Sequence, residues 1–319
     1  MKILVGFSQE EYPNVETFRS IGDCTFIRYD RAYLLDHIAE YDVFVPHLFD
    51  EVDTSIISKA SKLKVLATPS TGKDHLDVEA ILAAGIHFIS LNDDRAFIDE
   101  ISSTAEMSWM LTLACMRNIR GLFDRVQVDK NWVNTDIRGY ELKGKVLGII
   151  GYGRLGKMVA RYGQAFGMRV HVYDIDESQY DDVVKSVDFN TLCSESDVIS
   201  LHAKLNPGSE NIIDEEAVGL MKEGVVIVNT ARGGMIDSNA ILQGLDANKI
   251  RAVGLDVCND EYEAAELPRD PLVERSFVDN RIIVTPHAGG STLDAHGKVF
   301  GKVAELIKKY MNEKAVDTQ

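Results

Sequence analysis

Short apolar runs alternate with amphipathic stretches along most of the chain. In the first third these runs predict strands at residues 2–7, 25–29, 42–45, 64–67 and 86–91. From residue 145 onward they predict strands at 146–150, 169–173, 197–201, 225–229, 252–257 and 282–285. Continuous apolar runs such as 225–228 suit parallel strands that are covered on both faces. The pattern therefore predicts an α/β fold class with two doubly wound parallel-sheet domains.

Helical patterns fill the intervals between the predicted strands. Residues 77–84 read as a helix closed by Gly85. Residues 101–120 read as one long helix, with apolar positions at helical spacing and Ser102 or Ser103 as the N-cap. The charged stretch 259–274 breaks the periodicity and predicts a surface loop.

Composition and charge restrict the class of partner. The chain has 319 residues, and 34 Lys and Arg against 50 Asp and Glu give a formal net charge of −16. No block of basic residues stands out, so we expect no nucleic-acid partner. No segment approaches the roughly 18 consecutive apolar residues of a membrane span, and the N-terminal apolar run is too short for a signal peptide. We therefore expect no membrane association.

The four cysteines, at positions 24, 115, 193 and 258, are far apart in the sequence. They show no C-x-x-C spacing and no paired Cys and His spacing. Scattered cysteines in a chain of this size predict reduced thiols, a cytoplasmic location and no metal site.

A glycine motif at the start of the second strand series predicts dinucleotide binding. A buried strand leads into Gly151-Tyr-Gly-Arg-Leu-Gly156 and then a helix, and the next strand ends at Asp174. Gly151 allows the tight turn, Gly153 the close approach of a pyrophosphate, and Gly156 the packing of helix on strand. The helix N-terminus offers N–H groups to the phosphates. Because Asp174 would accept from a ribose 2′-OH and repel a 2′-phosphate, the motif favours NAD over NADP.

Other polar side chains follow further strands of the second series. Ligands bind at the carboxyl ends of strands in open α/β sheets. The residues found there are His202, the segment 229–233, Asp256 and the segment 286–290. Their clustering predicts a functional site.

Two residues of this group, Arg232 and His287, and one acid outside it, Glu261, suit the binding of a carboxylate substrate and acid–base chemistry on it. Arg232 can grip a carboxylate in two places, although it could instead pair with Asp256 or a loop carbonyl. His287, between a proline and Ala-Gly-Gly, can exchange a proton near neutral pH, although its ring could simply be satisfied by the backbone. Glu261 reads as an exposed loop acid unless it contacts His287, in which case it would favour the imidazolium and fix the tautomer.

The chain resembles the D-isomer-specific 2-hydroxyacid dehydrogenases, which include phosphoglycerate, glycerate and D-lactate dehydrogenases. The glycine motif is one of the matching segments. The others are Ser70-Thr-Gly-Lys-Asp-His-Leu-Asp77, Ser103-Thr-Ala-Glu106, Trp132, Gly139-Tyr-Glu-Leu-Lys-Gly-Lys145, Asn229-Thr-Ala-Arg-Gly233, Gly254-Leu-Asp-Val257 and Pro286-His-Ala-Gly-Gly290. They keep the family's order and spacing over nearly the whole chain.

The resemblance implies a Rossmann NAD-binding domain, residues 100–286, inserted into a flavodoxin-like substrate domain. That substrate domain would comprise residues 1–99 and 287–319, including a returning helix at 293–311, with the active site in the cleft. It also implies a homodimer formed through the cofactor domain.

The resemblance further implies roles for individual residues. Arg232 would bind the substrate carboxylate, His287 would be the acid/base, and Glu261 its partner. Asp256 would meet the nicotinamide carboxamide. Substrate binding is implied for Ser70, Thr71, Gly72, Arg232 and His287. Cofactor binding is implied for Gly151, Gly153, Arg154, Leu155, Gly156, Asp174, His202, Thr230, Ala231, Arg232, Asp256, His287 and Gly289.

The chain departs from the family pattern at three places. Tyr262 follows Glu261 where the family has proline, so Asp260, Glu263 and Glu266 remain candidate partners of His287 beside Glu261. Lys204 replaces a typical proline, and Lys73 stands where an apolar residue is usual. Both lysines read as solvated surface charges, but either would favour a phosphorylated or doubly anionic substrate if it faced the cleft.

The sequence therefore predicts an NAD-dependent oxidoreductase that interconverts a D-2-hydroxy acid and its 2-oxo acid, with 3-phosphoglycerate as one possible substrate. Two different functions compete with this one: an NAD(H)-sensing co-repressor-like binding protein, and an enzyme that oxidises formate or phosphite on the same scaffold. Specificity is expected to reside in first-domain loops near Phe49, 68–73 and 92–97.

Overall fold

The computed structural model describes residues 1–9, 15–47, 50–181, 183–261 and 267–316. The chain divides into two units, Met1–Ile101 with Ser291–Gln319, and Ser102–Gly290. These units differ by a few residues from the expected domain bounds. His287, expected to open the returning segment, belongs to the second unit.

The first unit contains a five-stranded parallel sheet. Its strands are β1 (Lys2–Val5), β2 (Asp23–Phe26), β3 (Val43–Val45), β4 (Val65–Thr68) and β5 (His87–Ser90). Their spatial order is β2-β1-β3-β4-β5, and all described pairings are parallel. This is the flavodoxin-like order, in which the chain reverses direction across the sheet between β1 and β3.

Short helices connect these strands: α1 (Val15–Arg19), α2 (Arg31–His37), α3 (Thr54–Ile57), α4 (Val78–Ala83) and α5 (Arg95–Ile98). An aspartate side chain accepts a backbone N–H at the start of each of the last four. The Asp-rich turns of this acidic chain therefore specify where helices begin.

The second unit contains a seven-stranded parallel sheet. Its strands are β6 (Val146–Ile150), β7 (Arg169–Tyr173), β8 (Lys185–Ser186), β9 (Val198–Leu201), β10 (Val225–Asn229), β11 (Ile250–Leu255) and β12 (Ile282–Val284). The order β12-β11-β10-β9-β6-β7-β8 is that of a Rossmann domain with one added strand. The chain reverses direction across the sheet between β6 and β9. Strand β8 was not predicted, because its two exposed residues carry no apolar pattern.

The helices of the second unit are α6 (Ser103–Arg117), α7 (Ile119–Gln127), α8 (Arg154–Ala165), α9 (Phe189–Glu195), α10 (Glu215–Leu220), α11 (Ser238–Asp246) and α12 (Pro271–Ser276). The prediction of one helix over 101–120 is wrong. Asn118 adopts φ 50° and ψ 48°, and its N–H bonds back to the carbonyls of Ala114 and Cys115. This left-handed residue ends α6, and a new helix starts at Ile119.

The predicted surface loop 259–274 is also wrong in its last part. Asp270 caps α12 by accepting the Leu272 N–H, and Pro271 occupies the first helical position. Residues 262–266 lie outside the described part of the chain.

The last helix, α13 (Leu293–Val316), returns to the first unit. Its Phe300, Val303 and Ile307 are buried in one cluster with Ile3 and Val43 of the five-stranded sheet. None of the described helices combines the length and apolar character needed to cross a bilayer.

Candidate active site

The glycine motif joins β6 to α8 at the point where the seven-stranded sheet reverses direction. Gly151 has φ +93°, and a Cβ there would lie 2.6 Å from the carbonyl carbon of His202, which follows β9. A Cβ at Gly156 would collide with the Gly151 carbonyl oxygen. The fold therefore requires glycine at both positions. Around Gly153 a Cβ would meet nothing within 4 Å, which is the open approach that a pyrophosphate needs.

The first turn of α8 begins with Arg154 and Leu155, and no side chain caps it. The positive end of the helix dipole points toward Gly153 and favours an anion there. This arrangement fits the phosphates of a dinucleotide.

Asp174 directly follows β7 and is held by two backbone amides. Its Oδ2 accepts the Tyr152 N–H at 2.7 Å, and its Oδ1 accepts the Asp176 N–H at 2.9 Å. Each carboxylate oxygen keeps further acceptor capacity. The pair of oxygens suits the two hydroxyls of a ribose.

His202 ends a short chain of buried polar groups. Its Nε2 lies 2.8 Å from Ser200 Oγ, which lies 3.0 Å from Ser108 Oγ on α6. Burial lowers the pKa of His202 to about 4, so the ring is neutral at pH 7. Its Nδ1 and the Oγ1 of Thr230 are buried and form no hydrogen bond with the described residues. Buried polar atoms of this kind need a partner, which a bound dinucleotide could supply.

A turn after β10 presents Arg232. The buried Asn229 accepts the Ala231 N–H at 2.9 Å through Oδ1 and donates from Nδ2 to the Arg232 carbonyl at 2.8 Å. Arg232 Nη1 donates to the Ala231 carbonyl at 2.6 Å. Arg232 therefore does make the loop-carbonyl contact expected of a structural arginine.

Gly233 brings the Arg232 turn against the loop after β11. A Cβ at Gly233 would overlap the carbonyl group of Cys258. Only glycine permits this approach. The residue that follows Arg232 thus lies against the backbone three positions before Glu261.

Glu261 contacts His287. The Glu261 side chain is 7% exposed, and its Oε2 accepts the Cys258 N–H at 3.3 Å. Its Oε1 lies 3.1 Å from His287 Nδ1, within ion-pair distance. Of the neighbouring acids, Asp260 is exposed, while Glu263 and Glu266 lie outside the described residues together with Tyr262.

His287 has φ +49°, a left-handed conformation that histidine adopts at some energetic cost. Its N–H donates to the carbonyls of Asp256 and Thr285, at 2.9 and 3.0 Å. The Asp256 carboxylate, 1% exposed, accepts from Thr285 Oγ1 at 2.5 Å, Ala288 N–H at 2.9 Å and Gly289 N–H at 2.7 Å. Asp256 therefore holds the loop in the shape that presents the imidazole.

The 70–72 turn lies in the first unit. The Gly72 N–H donates to Ser70 Oγ at 3.0 Å, and the Thr71 carbonyl accepts from Asn92 Nδ2 at 2.7 Å. One of the amides expected to hold a carboxylate is thus already engaged within the turn.

The two atypical lysines have different surroundings. Lys73 Nζ lies 5.2 Å from the ring centroid of Phe88, a cation–π contact within the first unit. Lys204 is exposed. Phe49, expected near the substrate, lies outside the described residues.

Sequence reasoning missed Asp270. This side chain is 1% exposed, and its Oδ2 accepts from Asn259 N–H at 3.0 Å and from Ser238 Oγ at 3.0 Å, while Oδ1 caps α12. It thereby fixes the start of the loop that carries Glu261. The dipeptide Asp270-Pro271, an N-cap followed by proline at the first helical position, was the signal that could have revealed it.

A Rossmann unit that carries an imidazole–carboxylate pair and an arginine at its strand ends defines a nicotinamide-dependent oxidoreductase. The family description "D-isomer specific 2-hydroxyacid dehydrogenase, NAD binding domain" matches residues 109–289. The chain belongs to the D-isomer-specific 2-hydroxyacid dehydrogenase family, whose members are NAD-dependent oxidoreductases. The second unit is its NAD-binding domain.

Several relatives show how widely the similarity extends. A hydroxypyruvate reductase of Thermotoga maritima is 37% identical over 280 residues, 88% of each chain. A D-3-phosphoglycerate dehydrogenase of Methanocaldococcus jannaschii is 39% identical over 87% of this chain but only 51% of its own length. The chain thus spans about half the length of that relative. The D-lactate dehydrogenase of Aquifex aeolicus, solved with NAD and lactic acid, superposes with a TM-score of 0.85 at 27% identity, over 98% of this chain and 96% of that one.

Proposed function

We propose that this protein interconverts a D-2-hydroxy acid and its 2-oxo acid with NAD. The contact between Glu261 Oε1 and His287 Nδ1 carries this proposal, because it makes His287 a supported acid/base rather than a surface ring. Arg232 supplies the cation that a carboxylate substrate needs in a chain whose net charge is −16.

In the reducing direction, Arg232 binds the substrate carboxylate and orients the C2 carbonyl. NADH held by the glycine motif and Asp174 would supply the hydride that C2 receives. His287 Nε2 donates a proton to the carbonyl oxygen, a contribution of about 10²–10⁴-fold. Glu261 keeps the ring oriented through its contact with Nδ1. In oxidation His287 must start neutral to accept the hydroxyl proton.

We propose that the 70–72 turn adds backbone donors to the substrate carboxylate, as the family resemblance implies. With the Gly72 N–H committed to Ser70 Oγ, binding uses the other amides of the turn or displaces this bond.

For the substrate itself, the finer proposal is a three- or four-carbon 2-oxo acid that carries a phosphate. The support is the presence of Lys204, a cation, where the family typically has proline in the segment after His202. One relative is named for a substrate without a phosphate, hydroxypyruvate, and another for a phosphorylated one, D-3-phosphoglycerate.

The experiment is NADH oxidation with glyoxylate, pyruvate, hydroxypyruvate and 3-phosphohydroxypyruvate. Arg232→Lys should raise KM for every 2-oxo acid, since an ammonium cannot grip a carboxylate in two places. Lys204→Ala should raise KM for the phosphorylated substrate alone. Equal activity of Arg232→Lys would contradict the carboxylate role. NADH binding without turnover of any 2-oxo acid would favour a co-repressor-like binding protein.

We propose a homodimer formed through the second unit. An apolar patch on α7 and the segment after it supports this proposal: Phe123, Val126, Val128, Trp132 and Val133 are 59%, 45%, 69%, 87% and 54% exposed. Several exposed apolar side chains within one short stretch of chain are typical of association sites. All four cysteines are unpaired, which supports a reducing compartment, and we propose the cytoplasm.

A further inference from the structure

Two tyrosine hydroxyls close the loop that follows β7. Tyr180 Oη accepts the Asp174 N–H at 2.9 Å and donates to the Asp174 carbonyl at 2.8 Å. The loop is thereby folded back onto its own first residue. Asp181, the next residue, is consequently held close to the glycine motif.

The second hydroxyl belongs to Tyr152, the residue between Gly151 and Gly153. Its side chain is 2% exposed, and its hydroxyl lies 3.0 and 3.1 Å from the two carboxylate oxygens of Asp181. Burial and Asp181 raise the pKa of Tyr152 to about 12, so the hydroxyl remains a donor at physiological pH. A side-chain bond thus joins the glycine motif to the loop after β7.

The backbone of Tyr152 completes the connection. Its N–H donates to Asp174 Oδ2 at 2.7 Å. The glycines on either side of Tyr152 have a wider range of backbone conformations than other residues. The direction of this N–H, and with it the orientation of the Asp174 carboxylate, therefore depends on anchoring the Tyr152 side chain.

We propose that Tyr152, acting through Asp181, is a positioning residue that presents Asp174 to the adenosine ribose of the cofactor and thereby sets affinity for that half of NAD. The loop also favours NAD over NADP, because Asp176 and Asp181 add negative charge beside Asp174. Lys157 partly offsets this charge, and its Nζ lies 5.4 Å from the Tyr152 ring centroid. A preorganised acceptor pair improves affinity because less order must be created on binding.

The test is equilibrium binding, which needs no turnover and so stands apart from the proposed substrate. Tyr152→Phe removes the hydroxyl and keeps the ring. We expect its Kd for NADH and for ADP-ribose, measured by calorimetry, to rise about tenfold, in line with a bond to a charged acceptor. Binding of reduced nicotinamide mononucleotide, which lacks the adenosine, should not change.

Tyr162→Phe is the matched control. Tyr162 lies on α8, and its ring packs near Trp109, with ring centroids 6.2 Å apart, whereas the Tyr152 hydroxyl contacts the loop after β7. Its binding constants should equal those of the parent. Asp181→Asn keeps an acceptor for the tyrosine hydroxyl but removes charge, so NADH should bind within twofold of the parent while NADPH binds more tightly.

Unchanged ADP-ribose binding by Tyr152→Phe would overturn the proposal. So would equal weakening by the Tyr152 and Tyr162 variants, or equal weakening of ADP-ribose and the mononucleotide. If Tyr152→Phe does not fold, Asp181→Ala removes the acceptor instead, and the same criteria apply.

Discussion

Glu261 Oε1 lies 3.1 Å from Nδ1 of His287, although the two residues stand in loops after different strands. The same carboxylate accepts the Cys258 N–H, and Gly233 packs its backbone against Cys258. The arginine turn, the acid and the imidazole are therefore linked through one short piece of chain. Changes in that piece should affect substrate binding and proton transfer together.

Removing the charge of Glu261 tests the link directly. Glu261→Gln keeps the size of the side chain but removes the negative charge beside Nδ1 of His287. Turnover in reduction should therefore fall, while NADH affinity stays the same. Asp260→Asn, at the exposed neighbouring acid, is the control and should leave turnover unchanged. Unaltered turnover in Glu261→Gln would assign the role to another acid.

His287→Asn removes the imidazole and retains a residue that tolerates a left-handed backbone. Turnover should fall about 10²–10⁴-fold. The Kd for NADH should be nearly unchanged, because Asp256 still holds the loop. His287→Ala, with a side chain less suited to φ +49°, should lose comparable activity and additional thermal stability. Retained turnover in the asparagine variant would remove His287 from the mechanism.

Asp270 should position the Glu261 loop as well as cap α12. Asp270→Ala leaves the Asn259 N–H and Ser238 Oγ without their buried acceptor, which costs about 1–3 kcal/mol. Asp214→Ala removes the N-cap of α10, whose side chain accepts the Ala217 N–H, and provides the matched control. Both variants should lower Tm, but only Asp270→Ala should also lower turnover in reduction at a temperature where both variants are folded. Turnover equal to that of Asp214→Ala would leave Asp270 with the role of a helix cap alone.

The apolar patch on the second unit predicts the assembly state. Trp132→Asp should convert a dimer into a monomer at micromolar concentration, as measured by light scattering after size exclusion, because a buried unpaired carboxylate is costly. Val278→Asp, at a site 85% exposed elsewhere on the same unit, should leave the dimer intact. A monomeric parent, or a dimeric Trp132 variant, would refute the proposal.

The elements that sequence reasoning placed well are those with strong local signals. Strands β6, β7 and β10 begin and end at the predicted residues, and the glycine motif joins β6 to α8 as predicted. The helix end at Asn118 was not predicted, because the apolar spacing continues past this residue. Only its left-handed backbone conformation reveals the end of the helix. Strand β8 has no pattern of its own and depends on pairing with β7.

The site residues also differ in whether a local sequence signal marks them. Arg232 and His287 could be singled out because glycines and a proline surround them in the sequence. The partner of His287 could not be chosen among four acids, because residues in a loop follow no periodic pattern. No such pattern therefore indicates which side chain points toward the histidine. The hold of Asp256 on residues 285–289 joins segments 29 to 33 positions apart. Such contacts exist only after β11 and β12 have paired.

The last prediction concerns acid stability and His202. Its pKa of about 4 in the folded chain lies below the usual 6.5 because of burial, so the unfolded chain binds an extra proton between these values. Above pH 6.5 this group contributes no pH dependence, and stability falls as pH drops from 6.5 to about 4. The full difference is on the order of 3 kcal/mol. His202→Gln cannot titrate, so it should lose correspondingly less stability over this range. Urea unfolding at about pH 7, 5.5 and 4.5 spans the range and measures this.

Both tryptophans of the chain, Trp109 and Trp132, lie in the second unit, so their fluorescence follows the unit that contains His202. His37→Gln changes a half-exposed histidine of the first unit and should leave the acid dependence of that signal as in the parent. The neutral ring matters for function too, because a charged His202 beside Ser200 would put a cation in the buried chain that leads to the glycine motif. Parallel loss of stability in the parent and in His202→Gln would show that His202 is not the group that titrates.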